Sequence, residues 1–460
     1  MSNPSKSMTG VAALAAGLLA AAAAHADFQT ALRDYNAGHY DTAHAQFLAL
    51  AELGDCSSQF NLGAMALKGQ GGPQDNGSGV GWLQAANSNG CQQLVGDKLG
   101  ALTSRLSPAE SQTAAQIVGR YGHEALRAQG VIDPDFTCHD TTAAHVASMP
   151  LPEYPRQEVA RHQNAIVITA LTIGADGLAR DPEILLAVPA DGFAAAAVEA
   201  WLNSQFTPAM RNGQAVPSRL PAKHVFALAG GQPLAEADEF RRARPAADTG
   251  DPAAGYLVGL TGTVDASLGI PPARAGQLLL GAARDGDAQA QYWIGSELRA
   301  TAACHPQADG SVWLRHAAEG GSAAAQLVRA GDLLGGAASA AQVAEARSLL
   351  QKAASSDSYY VRKHVVALLA ASPVAAVRDP ATAQSVAVKL AAGEIQSDPQ
   401  MFEVLAAAFA ANGDFPNAVA QQQRALHKAQ SLGWDTRLMS ERMAAYRAGR
   451  AWQGDLFASS

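Results

Sequence analysis

Four cysteines and twelve histidines are the residues of this chain best suited to chemistry, yet their spacing does not compose a reactive centre. Cys56, Cys91, Cys138 and Cys304 stand far apart and none belongs to a CxxC pair. Zinc is not expected, because no Cys/His group has ligand spacing. In an oxidising compartment four cysteines permit three complete pairings, and the sequence leaves them open. Cys56 and Cys91 fall just after Gly54 and Gly90, where neighbouring stacked helices would begin, so a bridge between them is geometrically allowed. A Cys138–Cys304 bond would tie the segment before the middle of the chain to a much later loop. The rival reading in both cases is a pair of free thiols.

The histidines offer no more. His39 and His44 are five apart, too far for an i,i+4 pair, and His123-Glu124 lacks the second histidine of HExxH. His139 and His145 neighbour Cys138 in what reads as plain loop. Asp176 reads as a turn residue, and Glu183 and Glu199 as surface charges. There is no GxSxG. The glycine-rich stretch Lys68 to Gly79 lacks a following GK[ST] and a preceding strand, so it reads as a flexible loop. No catalytic residue, cofactor or metal is expected, and a cell-wall hydrolase is the least supported alternative. The net charge of -8 comes without any basic cluster, so the field of a nucleic-acid binder is missing.

Residues 1–26 read as a secretory signal. Lys6 precedes the apolar run Val11 to Ala24, and Ala24-His25-Ala26 offers a cleavage point. Fourteen apolar residues would rise about 21 Å as a helix, against a hydrocarbon core of roughly 30 Å. The expectation is a periplasmic protein; the alternative is an uncleaved helix anchored in the inner membrane.

Beyond the signal, one small unit recurs. Gly54, Gly250 and Gly286 are each followed nine residues later by a second glycine (Gly63, Gly259, Gly295), with Phe60, Tyr256 or Tyr292 between. The anchors Gly250, Gly286 and Gly321 are spaced by 36 and 35 residues, the period of stacked helix pairs. Trp82 and Trp313 stand in equivalent helices, each with an alanine four residues on, so a bulky knob alternates with a small hole. The composition is rich in alanine, which suits helices that approach closely. The stretches GDCSSQFNLG and GDAQAQYWIG resemble the Sel-one-like repeat family, relatives of the tetratricopeptide repeats. That resemblance implies protein–protein scaffolding. A more tetratricopeptide-like hairpin follows around Asn412-Gly413-Asp414, and a capping helix is expected through Tyr446 and Trp452.

Between the repeats the period changes. Ala165 to Ile173 is rich in β-branched residues, and Gly174 to Gly177 reads as a turn. Leu178 to Val188 extends again, with Pro182 arguing for an edge strand or a bulge. Asp191 is expected to open a helix bearing Phe193 and Trp201 on one side. Asn212-Gly213 turns, and Lys223 to Leu228 reads as a last strand. The expected unit is β-β-α-β, its helix covering one face and an edge left open. Tyr154-Pro155, Gly177, Phe193, Trp201 and above all Phe206-Thr207-Pro208-Ala209 with Gly213 resemble the C-terminal domain of TonB-like energy transducers. What the resemblance implies is a periplasmic domain that meets a short segment of an outer-membrane receptor, by strand addition to a sheet edge. A true transducer, the alternative reading, needs a retained membrane helix and a long proline-rich spacer. The Pro150 to Pro155 stretch would span only about 19 Å as polyproline.

The expected fold is therefore mostly α, an α-solenoid on both sides of a small α+β module. The expected boundaries are signal 1–26, repeats 27–105, linker 106–146, TonB-like domain 147–228, linker 229–249, Sel-one-like repeats 250–374, and tetratricopeptide-like repeats with a cap 375–455. Expected partners are envelope proteins, including an outer-membrane protein, met through strand edges in 178–188 or 223–228 and the concave faces of the helices.

Overall fold

The computed structural model describes residues 28–190, 192–229 and 237–458; the expected signal segment and Asp191 lie outside them. The first helical part contains α1 (Phe28–Asn36), α2 (Tyr40–Glu52), α3 (Cys56–Lys68), α4 (Asn76–Ser88), α5 (Gln92–Val95), α6 (Lys98–Thr103), α7 (Pro108–Tyr121) and α8 (His123–Ala128). The sheet-bearing part follows with β1 (Thr141–Thr142), β2 (His145–Ser148), α9 (Arg156–Ala160), β3 (Ala165–Ile173), β4 (Ala179–Val188), α10 (Ala194–Leu202), β5 (Gln205–Thr207), β6 (Ala209–Arg211), β7 (Gln214–Val216) and β8 (Ser218–Phe226). The second helical part has α11 (Asp238–Asp248), α12 (Pro252–Val264), α13 (Pro272–Arg284), α14 (Ala288–Ala300), α15 (Ser311–Glu319), α16 (Ala323–Leu333), α17 (Ala340–Ala353) and α18 (Tyr359–Ala371). It closes with α19 (Pro380–Ala391), α20 (Pro399–Ala411), α21 (Phe415–Ser431) and α22 (Arg437–Arg447).

Each repeat turn is built from the same parts. Gly54, Gly250, Gly286 and Gly321 all take positive φ, between +86 and +95°, which reverses the chain at a helix end without a side-chain clash. The next residue caps the following helix: Asp55, Asp251, Asp287 and Ser322 accept backbone N–H bonds from its first turn. The second glycines lie inside helices and serve a different end. A Cβ on Gly63, Gly259 or Gly295 would stand 2.9, 2.8 or 2.8 Å from Cγ of Leu83, Leu279 or Leu314 in the partner helix. Small residues there set the spacing of each hairpin. Trp82 stacks on Tyr121 with centroids 4.6 Å apart, and the fully buried Trp313 donates from Nε1 to the Gly130 carbonyl at 3.1 Å.

A glutamine completes the turn. Gln59, Gln291 and Gln326 each donate to the carbonyl eight residues back, of Ala51, Ala283 and Ala318, at the end of the preceding helix. Each of these helix-end carbonyls also accepts the N–H of the turn glycine, Gly54, Gly286 or Gly321, so the glutamine adds a second donor.

Several expectations need correcting. The loop 68–79 ends early, because Asp75 caps α4 and the helix begins at Asn76. Gly77 and Gly81 then lie within α4 and let α7 approach: a Cβ there would stand 2.7 and 2.8 Å from the backbone of Glu110 and Ala114. In the segment 106–146 the helices α7 and α8 are followed by two short strands in place of an irregular stretch, β1 pairing with β6 and β2 with β5. Helix α10 starts at Ala194, with Phe193 at its cap. The last strand runs over Ser218–Phe226 and not from Lys223. Helix α22 ends at Arg447, so Trp452 lies beyond it, 5.7 Å from the Arg442 guanidinium.

The two helical parts meet directly. Leu53, Leu126, Val131 and Ile132 share a core with Leu260, Leu298 and Trp313. Glu52 at the end of α2 pairs with Arg315 at 2.8 Å and His316 at 3.3 Å on α15. Burial alone would raise the Glu52 carboxyl, but hydrogen bonds from His316 and Arg315 more than offset this and hold it at about 2 against an ordinary 4.5. A depressed carboxylate contributes stability above its ordinary value and loses it as pH falls.

Two outcomes follow from this packing. Gly295→Ala should destabilise by about 1–3 kcal/mol through overpacking against Leu314, whereas Gly281→Ala, where a Cβ meets nothing within 4 Å, should stabilise by about 0.4–1 kcal/mol; urea titrations of both report the signs. In acid, thermal stability should fall between pH 4.5 and about 2, and Glu52→Gln should flatten that part of the profile.

Candidate protein-binding edge of the inserted sheet

The central sheet has strand order β4-β3-β8, antiparallel throughout, so β4 and β8 are its edges. The two-stranded sheet β2-β5 joins it through an isolated bridge between Gln205 and Leu178, and a separate three-stranded sheet has the order β1-β6-β7. Both faces of β3 are buried. Ala165 and Val167 pack under α10 with Phe193, Ala197 and Phe226, while Leu171 and Ile173 meet Trp201 and Phe206. Ile166 and Ile168, on the opposite face, enter the repeat core beside Leu260, Leu279 and Ile294. The continuous apolar run of β3 is the sequence signature of a strand covered twice. The back of α10 is covered as well: Val198 and Leu202 pack with Ile395, Leu426, Trp434 and Met443 of the C-terminal repeats.

The recognised motif residues serve this core. Tyr154 meets Phe193 and Phe226 edge to face at 5.6 and 5.7 Å, and its hydroxyl donates to the Gln163 carbonyl. Pro155 precedes α9. Gly177 takes φ +75° and abuts the Phe206 carbonyl, while its own carbonyl accepts from the Phe206 N–H at 3.0 Å. Trp201 and Phe206 have centroids 6.2 Å apart. Pro208 separates β5 from β6, and Asn212-Gly213, both with positive φ, form the tight turn between β6 and β7. Pro182 sits where the β3–β4 register shifts, beside Asp181 at φ +52°.

The four cysteines form two bridges, Cys56–Cys91 and Cys138–Cys304. Among the described residues one group of three potential metal ligands occurs, Cys138, Asp140 and Cys304, and its two sulfurs are bonded to each other.

The edges differ in what lies against them. On β4, Asp181 pairs with Lys363 at 2.9 Å and His364 at 2.8 Å, and Tyr256 donates to the Leu185 carbonyl at 3.0 Å. Burial would raise the Asp181 carboxyl, but His364 and Lys363 outweigh it and hold Asp181 well below the usual carboxylate range. Lys363 is fully buried, with Asp398 at 2.9 Å and the Gln400 side chain at 2.8 Å as further partners. Glu183, read in the sequence as a surface charge, is buried and pairs with Arg219 at 2.9 Å; Arg219 also pairs with Glu297 of α14. Burial would lower the Arg219 guanidinium, yet the two carboxylates push it above its ordinary value. Glu199 does lie exposed on α10. Along β8, Lys223 reaches Asp265 at 2.7 Å, and Val225 and Ala227 are exposed.

Residues 150–228 match the family model described as the Gram-negative bacterial TonB protein C-terminal. The chain is a helical-repeat protein with an embedded TonB C-terminal-type module. It is similar to the crystal structure of a Sel1 repeat protein from Oxalobacter formigenes, at 19% identity over 49% of this chain and 93% of that one, with a TM-score of 0.31. It is also similar to a protective antigen present in uropathogenic Escherichia coli strains and displaying an SLR fold, at 16% identity over 91% of this chain and 79% of that one, with a TM-score of 0.34. None of the curated proteins matches it. Among the described residues no helix is long and apolar enough to cross a membrane.

The pairing code that orients the TonB C-terminal-type module escaped the sequence reading. Asp181, Glu183 and Arg219 are single charges in strands, and their partners lie 36 to 183 residues away. The turn glutamines were legible, five residues after Gly54, Gly286 and Gly321, though Gly255 replaces the fourth.

Lys363→Met should destabilise the full chain by about 3–5 kcal/mol, because Asp181 and Asp398 would lose their common buried cation. Chemical denaturation of the two proteins side by side measures the difference.

Proposed function

We propose that this chain is a periplasmic scaffold or adaptor that binds envelope proteins, taking an extended segment of an outer-membrane protein along the free edge of β8. The observation that carries the reading is the asymmetry of the sheet. Both outer strands have β3 as their strand neighbour, but on β4 a helix residue reaches the backbone, Tyr256 donating to the Leu185 carbonyl, whereas β8 meets the repeats through the side chains of Arg219 and Lys223. An unpaired edge offers a row of backbone donors and acceptors, and strand addition satisfies them with little demand on side-chain identity. The match of residues 150–228 to the TonB C-terminal family supports a partner of the kind met in a Gram-negative envelope. The helical repeats supply extended faces for further protein partners.

The test uses backbone chemistry. Along a strand, successive N–H groups point to opposite sides, so of His224→Pro and Val225→Pro one breaks the ladder to β3 and the other removes only an outward donor. The variant that keeps wild-type thermal stability should lose capture of solubilised outer-membrane proteins that the wild type retains. Equal capture by that variant would remove the β8 edge from the mechanism, and mass spectrometry of the exported protein would report whether it begins at Asp27.

A further inference from the structure

The segment joining the first repeats to the module carries strands of its own, and it lies outside the residues matched to the TonB C-terminal family. Thr141 and Thr142 of β1 pair with Arg211 and Met210 of β6; His145 and Val146 of β2 pair with Thr207 and Phe206 of β5. This strap thus adds strands to the module from outside, in the geometry by which an extended partner would add. All four residues of β2 are exposed, as are Met149 and Leu151, the latter 93% exposed. Residues 141–152 contain no Asp, Glu, Lys or Arg. Charges that normally protect an exposed edge are missing from it; backbone bonds hold it to β5 and β6, together with the buried Ala144 beside Phe206 and Ala209 and the Arg211 side chain on the Thr141 hydroxyl.

One covalent tie restrains the strap. Cys138, three residues before β1, is bonded to Cys304 in the loop between α14 and α15. Both cysteines are half-exposed, whereas Cys91 of the other bridge is buried among Leu83, Ala86 and Val95. The surroundings of Cys304 suit both redox states. Arg211 on β6 donates from Nη2 to the Cys304 sulfur at 3.5 Å, so a departing thiolate meets a guanidinium. The Asp140 Oδ1 lies 3.5 Å from the same sulfur, ready to accept from a Cys304 thiol once it is protonated. Other contacts near the clasp are non-covalent: the His305 ring and the Thr137 carbonyl at 2.8 Å, and Arg211 with the Thr141 hydroxyl at 3.1 Å.

We propose that the Cys138–Cys304 bond is a thiol-exchangeable clasp that keeps the strap seated on β5 and β6, and that its reduction frees a second strand-addition edge on the module. The chemistry needs a dithiol reductant. One of its thiolates attacks Cys138 Sγ, forming a mixed disulfide as the electron pair of the old bond leaves on Cys304. The reductant's second thiol gives up its proton and attacks the reductant's own sulfur in the mixed disulfide, releasing Cys138 as a thiolate and leaving the reductant oxidised as a cyclic disulfide. Each released thiolate takes up one proton. The β8 edge has no part in this device, so it stands or falls apart from the function proposed above.

The full-length mature chain is titrated with dithiothreitol, quenched by alkylation and mapped by mass spectrometry. Cys138 and Cys304 should label before Cys56 and Cys91. Hydrogen exchange on Cys138→Ser/Cys304→Ser, and on the wild type at the reductant level that opens this bridge alone, should accelerate about tenfold or more over 141–148 and 205–211 while 165–173 stays protected. Prior labelling of Cys56 and Cys91, or unchanged exchange of the strap with the clasp open, would overturn the proposal. Loss of protection throughout β3 would do so too, since the bond would then be a general brace.

Discussion

Water is excluded from both faces of β3, and this double burial ties the module to the repeats. A strand covered only by α10 would leave Ile166 and Ile168 in water, and burying an isoleucine fully is worth about 1.5–3 kcal/mol. Here those two side chains join a core that also draws on both helical parts, with Leu126 of α8, Phe240 of α11, Leu260 of α12, Leu279 of α13, Ile294 of α14 and Trp313 of α15. Helix α10 is treated alike, with Phe193 and Ala197 turned to the sheet and Val198 and Leu202 to the last repeats. The inserted module is therefore a structural member of the solenoid as much as its cargo.

Charge sets the orientation that apolar packing leaves free. Asp181 meets Lys363 and His364, Arg219 meets Glu297, and Lys223 meets Asp265, each pair joining a strand to a helical repeat. Buried pairs of this kind contribute little net stability over apolar residues of similar size, but a misaligned module would strand each charge without a partner. Their cost falls on alternative dockings. The same arrangement ties both outer strands to the repeats, β4 through Asp181 and β8 through Arg219 and Lys223.

The helical parts show the complementary economy. Turn glycines, aspartate caps and turn glutamines repeat with local spacing, so each hairpin is specified by its own residues and stacks on its neighbour. Continuity across the insertion relies on a few long-range ties, with Glu52 on α15, Trp313 on Gly130 and Cys138 on Cys304. These ties make the segment between α8 and β3 a bridge between two bodies.

The sequence by itself determined what depends on near neighbours. The 35-residue rhythm, the hairpin turn at Gly177 and the β3–β4 hairpin with its following helix follow from backbone preference and periodicity within about forty residues. Even there the ends shifted: Gly77 and Gly79 read as loop, but Asp75 capped a helix around them because α3 and α7 need glycine to approach. Only the tertiary structure decided which cysteines meet, that Glu183 is buried, that residues 141–142 and 145–148 are strands, and which repeats each outer strand meets. Those outcomes pair residues far apart in the chain, and a partner 166 or 183 positions away leaves no local pattern in either segment.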